Sequence, residues 1–128
     1  MSRIWLIWAG ALGALGIALG AFGVHALRPV LPLQTMTVFE TAVRYHLFHT
    51  LALLGVAILM GQYPDRAPAL RWVALLLLAG LVLFSGSLYA LATTGVGFFG
   101  WITPFGGACW IAAWLGLAWS FRRGERSG

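Results

Sequence analysis

Three histidines, His25, His46 and His49, stand in a chain of 128 residues that carries only three acids and eight basic residues, all arginine. Thr41, Tyr45 and His49 recur every four residues with His46 on their flank, and Glu40 and Arg44 stand on either side of Thr41. Ser85, Ser87, Tyr89 and Thr93 form a second polar group, and Thr103 opens a third. Neutral imidazole can ligate a metal or relay protons, so the histidines and Glu40 invite a metal site. The spacing argues against one. On a helix His46 and His49 are about 60° apart, whereas Glu40 is opposite His49. His25 lies at the edge of its own apolar segment, at the wrong depth to share a haem with His46 or His49. Ser85-Gly86-Ser87 lacks the glycine pattern of a nucleophile elbow, and Cys109 has no base near it in sequence. No metal, cofactor or catalytic set is expected, and the chain is not read as an enzyme.

The elements that must position these residues are four apolar runs, about 4–27, 38–60, 72–93 and 101–121. Each reaches the roughly 20 residues needed to span a hydrocarbon core about 30 Å thick. Hydrophobic residues make up 61% of the chain and charged ones 9%, with mean hydropathy +0.90. Ordinary soluble domains are about 25% charged. The expected fold is all-α, an integral membrane four-helix bundle forming one domain over residues 1–128. Stretches outside the runs are only about ten residues long, which leaves no room for a separate catalytic domain. The first run is too long for the roughly 7–15-residue core of a signal peptide and reads as an uncleaved helix. The single cysteine, inside the fourth run, reads as packing.

Orientation follows from the arginines. With four spans, Arg3, Arg66, Arg71, Arg122, Arg123 and Arg126 share one side, and Arg28 and Arg44 the other. The positive-inside rule places both termini in the cytoplasm. Trp5, Trp8, Trp72 and Trp119 fall at the same ends, and Phe98, Phe99 and Trp101 at the outer end, as aromatic belts do. The net charge of +5 is scattered over helix ends, forms no stripe for nucleic acid, and suits anionic headgroups. The lipid bilayer is the expected partner.

Gly10, Gly13, Gly16, Gly20 and Gly23 fall within an arc of about 140° on the first helix. Helices in lipid associate by close backbone approach, so this face, with its Gly16-Ile-Ala-Leu-Gly20 element, is a packing surface. It serves another helix of the same chain, a homo-oligomer or a partner membrane protein. Gly106 and Gly107 offer a second close approach on the fourth helix. Pro29 and Pro32 end the first helix and delay the second. Thr37-Val-Phe-Glu40 fits a capping box that starts the second helix near Val38, and Arg44 is placed to pair with Glu40 at i,i+4. His49 then lies roughly 13–16 Å inward, near mid-bilayer, where a polar side chain faces protein or a hydrated cavity. The polar residues of all four helices thus converge in the outer half. A hydrogen-bond network among Tyr45, His49, Ser85 and Tyr89 accounts for them structurally.

The ordered motifs Gly20-Ala-Phe-Gly-Val-His25-Ala-Leu27, Phe39-Glu-Thr-Ala-Val-Arg-Tyr45-His-Leu-Phe-His49, Leu83-Phe-Ser-Gly-Ser-Leu-Tyr89 and Ile102-Thr-Pro-Phe-Gly-Gly107 resemble the small inner-membrane proteins of the YgdD and YwdK type. The resemblance spans all four helices. It implies a four-span protein of the bacterial cytoplasmic membrane and attaches no biochemical activity. His25, Phe39, Thr41, Tyr45, His49, Ser85, Ser87, Tyr89, Thr103 and Pro104 match the signature, while Val24 stands where relatives carry alanine. Two readings of function follow. One is a structural or accessory component of the membrane. The other is a polar cluster that binds or translocates a small solute, a lipid headgroup or protons.

Overall fold

The computed structural model describes residues 2–122, so Arg123 and Arg126, which enter the charge asymmetry, lie outside the described residues. Helix α1 covers Ser2–Phe22 and continues through a π-helical turn, Gly23–Leu27. Helix α2 is Leu33–Gln62, and a 3-10 turn, Pro64–Arg66, leads into the third helix. Helix α3 begins with Ala67–Gly80, passes through a π-helical segment, Leu81–Gly86, and ends as Ser87–Thr94. Helix α4 is Phe98–Ser120. All four are long and apolar enough to cross a membrane.

Helix α1 lies along α2 and α4 along α3, and contacts between α2 and α3 join the two pairs. Trp5 and Leu12 of α1, Leu53 and Val56 of α2, Leu70 and Leu77 of α3, and Trp110 of α4 share one apolar cluster. Small side chains let the backbones close up, and Ala57, Ala74 and Ala113 are wholly buried. Ile7, Ile17, Leu51, Trp72, Val82 and Trp101 point outward. Such an apolar exterior is costly in water and ordinary against acyl chains.

The helices start earlier than the apolar runs do. The second begins at Leu33 rather than near Val38, because Pro32 takes the N-cap position with φ −55° and its carbonyl accepts from the Met36 amide at 2.9 Å. A proline at a helix start has no amide to leave unpaired, so Pro32 opens α2 instead of delaying it. The capping box is thereby excluded: Thr37 is already in the helix, and its hydroxyl donates to the Leu33 carbonyl at 3.0 Å. Pro68 lies in the first turn of α3 in the same way, bringing that start to Ala67 rather than Trp72. The pairing of Glu40 with Arg44 is also corrected, since Glu40 Oε1 accepts from Arg28 across the connection at 2.7 Å. Arg28 caps the π-helical turn of α1, its backbone N–H donating to the Gly23 carbonyl at 2.8 Å, and this places its side chain beside α2.

The other connections are short. Gly95, at φ 71°, closes α3 with its amide on the Leu91 carbonyl at 2.9 Å, a left-handed position that favours glycine. At the opposite end Arg66 donates to the Ser120 carbonyl at 2.5 Å and lies 4.6 Å over the Phe121 ring. That contact ties the α2–α3 connection to the end of α4.

Candidate functional site

The glycine face of α1 is spent on α2. A Cβ at Gly13 would meet Thr50 at 3.7 Å, one at Gly16 Leu47 at 2.6 Å, one at Gly20 Val43 at 3.4 Å, and one at Gly23 Phe39 at 2.7 Å. Gly10 alone of the five opens on empty space. Because Gly16 has no side chain, His46 of α2 reaches the α1 backbone, with Nε2 2.8 Å from the Leu12 carbonyl oxygen. A carbonyl only accepts, so Nε2 carries the proton. In the neutral ring Nδ1 is then an acceptor, and it takes the Tyr89 hydroxyl of α3 at 2.9 Å. His46, 1% exposed, therefore bridges three helices.

His49 sits one turn further along α2 and makes a different connection. Its Nδ1 donates to the Tyr45 carbonyl of its own helix at 2.9 Å, which leaves Nε2 to accept from Trp114 Nε1 of α4 at 3.2 Å. Trp110 stacks on the imidazole with ring centres 3.6 Å apart and planes 4° apart. The same indole donates to the Leu77 carbonyl of α3 at 3.0 Å and lies against Gly80, where no Cβ would fit. Tyr45 adds its ring 5.1 Å from Phe84 and 6.0 Å from Trp110.

Ser85 in the π-helical segment of α3 and Ser87 just after it turn to opposite neighbours. Ser85, fully buried, donates to the Ala42 carbonyl of α2 at 2.8 Å. Ser87 shares a 2.6 Å hydrogen bond with Thr103 of α4. Gly106 brings α4 onto the backbone of Leu83 and Phe84 so closely that a Cβ there would collide with main-chain atoms, and Gly107 lies above the Phe84 ring. Pro104, inside α4, cannot donate to the carbonyl of Gly100, which loosens that turn beside Thr103.

Six of the twelve residues singled out by sequence, His46, His49, Ser85, Ser87, Tyr89 and Thr103, make side-chain hydrogen bonds to another helix. They form separate bridges rather than one continuous network. Thr41 and Thr93 bond back to carbonyls of their own helices, those of Thr37 and Tyr89. His25, Arg44 and Thr93 are exposed, and Glu40 is engaged by Arg28. Every buried side-chain nitrogen and oxygen among the described residues has a hydrogen-bond partner. No three potential metal ligands are grouped among them. Sequence reasoning passed over Trp110, Trp114 and Gly80. Their only signal was a glycine inside one apolar run and two tryptophans one turn apart in another.

Four apolar helices around internally satisfied polar bridges define a multi-pass α-helical membrane protein, with the lipid bilayer as its surroundings. Residues 19–107 match the family model described as "Protein of unknown function (DUF423)", and the chain belongs to that family. It is 40% identical over 113 residues to the UPF0382 inner membrane protein YgdD of Escherichia coli, covering 88% of this chain and 85% of the relative. Against the UPF0382 membrane protein YwdK of Bacillus subtilis it is 37% identical, covering 88% and 91%. A Staphylococcus saprophyticus membrane protein of the same group, SSP2132, is 42% identical over 109 residues, covering 84% and 88%. These relatives place the chain in the bacterial cytoplasmic membrane. No solved structure matches it.

Proposed function

We propose that the chain is a structural or accessory component of the cytoplasmic membrane, acting as a single membrane domain without catalytic activity and with both termini in the cytoplasm. The observation that carries this reading is the complete internal use of His46 and His49. Each ring has one nitrogen on a backbone carbonyl and the other on a side chain of a different helix, so neither lone pair is left for a ligand. Interhelical hydrogen bonds average only about 0.6 kcal/mol in membrane bundles, so their use lies in fixing helix register. A fixed register presents a constant outer surface to lipid or to a partner membrane protein. The arginine asymmetry supports the orientation, with Arg3, Arg66, Arg71 and Arg122 at one end of the bundle and Arg28 and Arg44 toward the other.

One observation favours the second reading, in which the polar residues bind or translocate a small solute, a lipid headgroup or protons. The π-helical segment Leu81–Gly86 carries Ser85, and such segments recur at functional sites.

Native mass spectrometry of the chain, tagged at its C-terminus and extracted at natural abundance, separates the two. The accessory reading predicts a stoichiometric larger assembly that His49→Gln depletes. A bare monomer or homo-oligomer that keeps a small mass, lost in His49→Gln at unchanged abundance, would replace it with the binding reading. A reporter fused after Thr94 tests the orientation, and cytoplasmic activity there would overturn it.

A further inference from the structure

Arg44 lies well inside a described span, and among the described residues the protein provides it with no partner. Helix α2 has 30 residues and is about 45 Å long, some 15 Å more than a hydrocarbon core about 30 Å thick. Shared between its two ends, that excess leaves the first seven or so Å of α2 outside the core. Arg44 stands eleven residues beyond Leu33, so its Cα lies roughly 9 Å inside the apolar slab. The side chain is exposed, and Glu40, the only acid nearby on its helix, is held by Arg28 at 2.7 Å. No other hydrogen bond, ion pair or ring contact among the described residues takes the Arg44 guanidinium. A cation left bare at this depth is expensive, and an arginine here is satisfied by extending toward the headgroups and finding an anion there.

Beneath it the surface is not flat. Gly20 and Val24 of α1 and Met36, Phe39, Val43 and Arg44 of α2 border a cavity of about 220 Å³ that opens outward between the two helices. It exists because Gly20 contributes no side chain to that part of the seam, and its walls are apolar apart from Glu40 and Arg44. A second cavity of about 370 Å³, bordered by Arg28, Leu31 and Thr37, adjoins it through Met36 and Glu40 and leads to the end of the helices. In a bilayer an open apolar slot on the protein surface is filled by acyl chain.

We propose that the α1–α2 groove is a binding site for an anionic glycerophospholipid, with an acyl chain along Gly20, Val24, Phe39 and Val43 and the phosphodiester on the Arg44 guanidinium. Charge complementarity selects the ligand. Arg28 and Glu40 neutralise each other, so Arg44 gives the mouth of the groove a net charge of +1, matched by a headgroup with one negative charge. The planar guanidinium presents parallel N–H donors to two phosphate oxygens, a fit that a lysine does not reproduce. The site is separate from the bridges of His46 and His49 and does not depend on how they are read.

The test uses the full chain purified in a mild detergent and titrated with phosphatidylglycerol by native mass spectrometry. A single saturable adduct is expected, weakened about five- to tenfold in Arg44→Gln and only partly in Arg44→Lys. Val24→Trp, on an exposed position that fills the groove without touching the charge, is expected to remove the adduct with Arg44 intact. Arg28→Gln, which leaves Glu40 unpaired beside the site, is expected to weaken it as well. Unchanged binding in either Arg44→Gln or Val24→Trp overturns the proposal. Equal binding of phosphatidylcholine overturns the charge selection, and complete competition by inorganic phosphate overturns the part played by the groove. Co-purification of a membrane protein that Arg44→Gln releases, without a lipid adduct, would assign the groove to a protein partner instead. Tryptophan fluorescence melts report whether each variant is folded. Should Arg44→Gln not fold, Arg44→Lys and Val24→Trp decide the matter.

Discussion

Gly16 of α1 lies directly beneath the imidazole of His46 of α2: a Cβ at Gly16 would stand 3.1 Å from His46 Cδ2 and 3.2 Å from its Nε2. The missing side chain is what lets Nε2 come within 2.8 Å of the Leu12 carbonyl one turn earlier. The glycine seam and the polar residues, which the sequence presents as unrelated features, are two sides of one contact.

Gly16→Ala therefore meets two opposing terms. Alanine is favoured over glycine in a helix by up to about 1 kcal/mol. Against that, the new methyl would overlap Leu47 at 2.6 Å and press on a histidine fixed at both nitrogens. Overpacking of this kind costs about 1–3 kcal/mol, so a net loss of stability is expected. Gly10→Ala, facing open space, is expected to be neutral or slightly stabilising. Unfolding of the two variants in mixed detergent checks the difference, and equal effects would remove the seam from the account.

His46 and Tyr89 should behave as a coupled pair. Tyr89→Phe deletes the hydroxyl that Nδ1 accepts, and His46→Leu deletes both of its bridges. A double-mutant cycle is expected to give a coupling near 0.6 kcal/mol, and no more than about 1.7, as in other membrane bundles. The same cycle between Tyr45 and Tyr89 should give none. A coupling for Tyr45 in place of His46 would mean that the register of α2 is one residue different.

That register shows where sequence reasoning stopped. Four spans were legible because an unbroken succession of about 20 apolar residues suits a bilayer and little else. The stripe Thr41, Tyr45, His49 was also real as a spacing. Yet the face of α2 turned inward toward α1 and α3 is that of Ala42, His46 and Thr50, one residue along, while Tyr45 is 40% exposed. Periodicity identifies faces but does not rank them when every face is apolar enough for lipid. Trp110 was missed for a related reason. Its position depends on the absence of a side chain at Gly80, 30 residues away, and such small-to-large matching leaves no local pattern. Proline signals failed differently, because Pro32 is compatible both with a prolonged connection and with an immediate helix start.

The corrected ion pair yields its own test. Arg28 and Glu40 are 57% and 42% exposed, so their 2.7 Å contact is a surface pair worth about 0.2–1 kcal/mol and weakened by salt. A cycle of Arg28→Gln with Glu40→Gln should show that coupling, whereas Arg44→Gln with Glu40→Gln should show little. The reverse result would restore the i,i+4 pair and remove the reason for assigning Arg44 to a lipid.

Gly80 and Trp110 supply the strongest coupling expected in the molecule. A methyl at Gly80 would collide with the indole, chiefly at Cδ1 and Nε1. The indole cannot move aside easily: its Nε1 is bonded to the Leu77 carbonyl, its face is stacked 3.6 Å from His49, and Phe84 lies 4.7 Å away on another side. Gly80→Ala should thus cost about 1–3 kcal/mol in spite of alanine's better helix propensity. Trp110→Leu should cost about as much, by opening a cavity and leaving His49 without its stacking partner. Combined, the two changes partly cancel, since leucine frees the space that the alanine methyl needs. The double variant is expected to be more stable than the sum of the single effects by about 1 kcal/mol or more, within the range of about 0.5–3 kcal/mol for couplings between residues in contact. Strict additivity would show that α3 and α4 can slide apart at this layer, and then His49 would not be held by Trp110 at all.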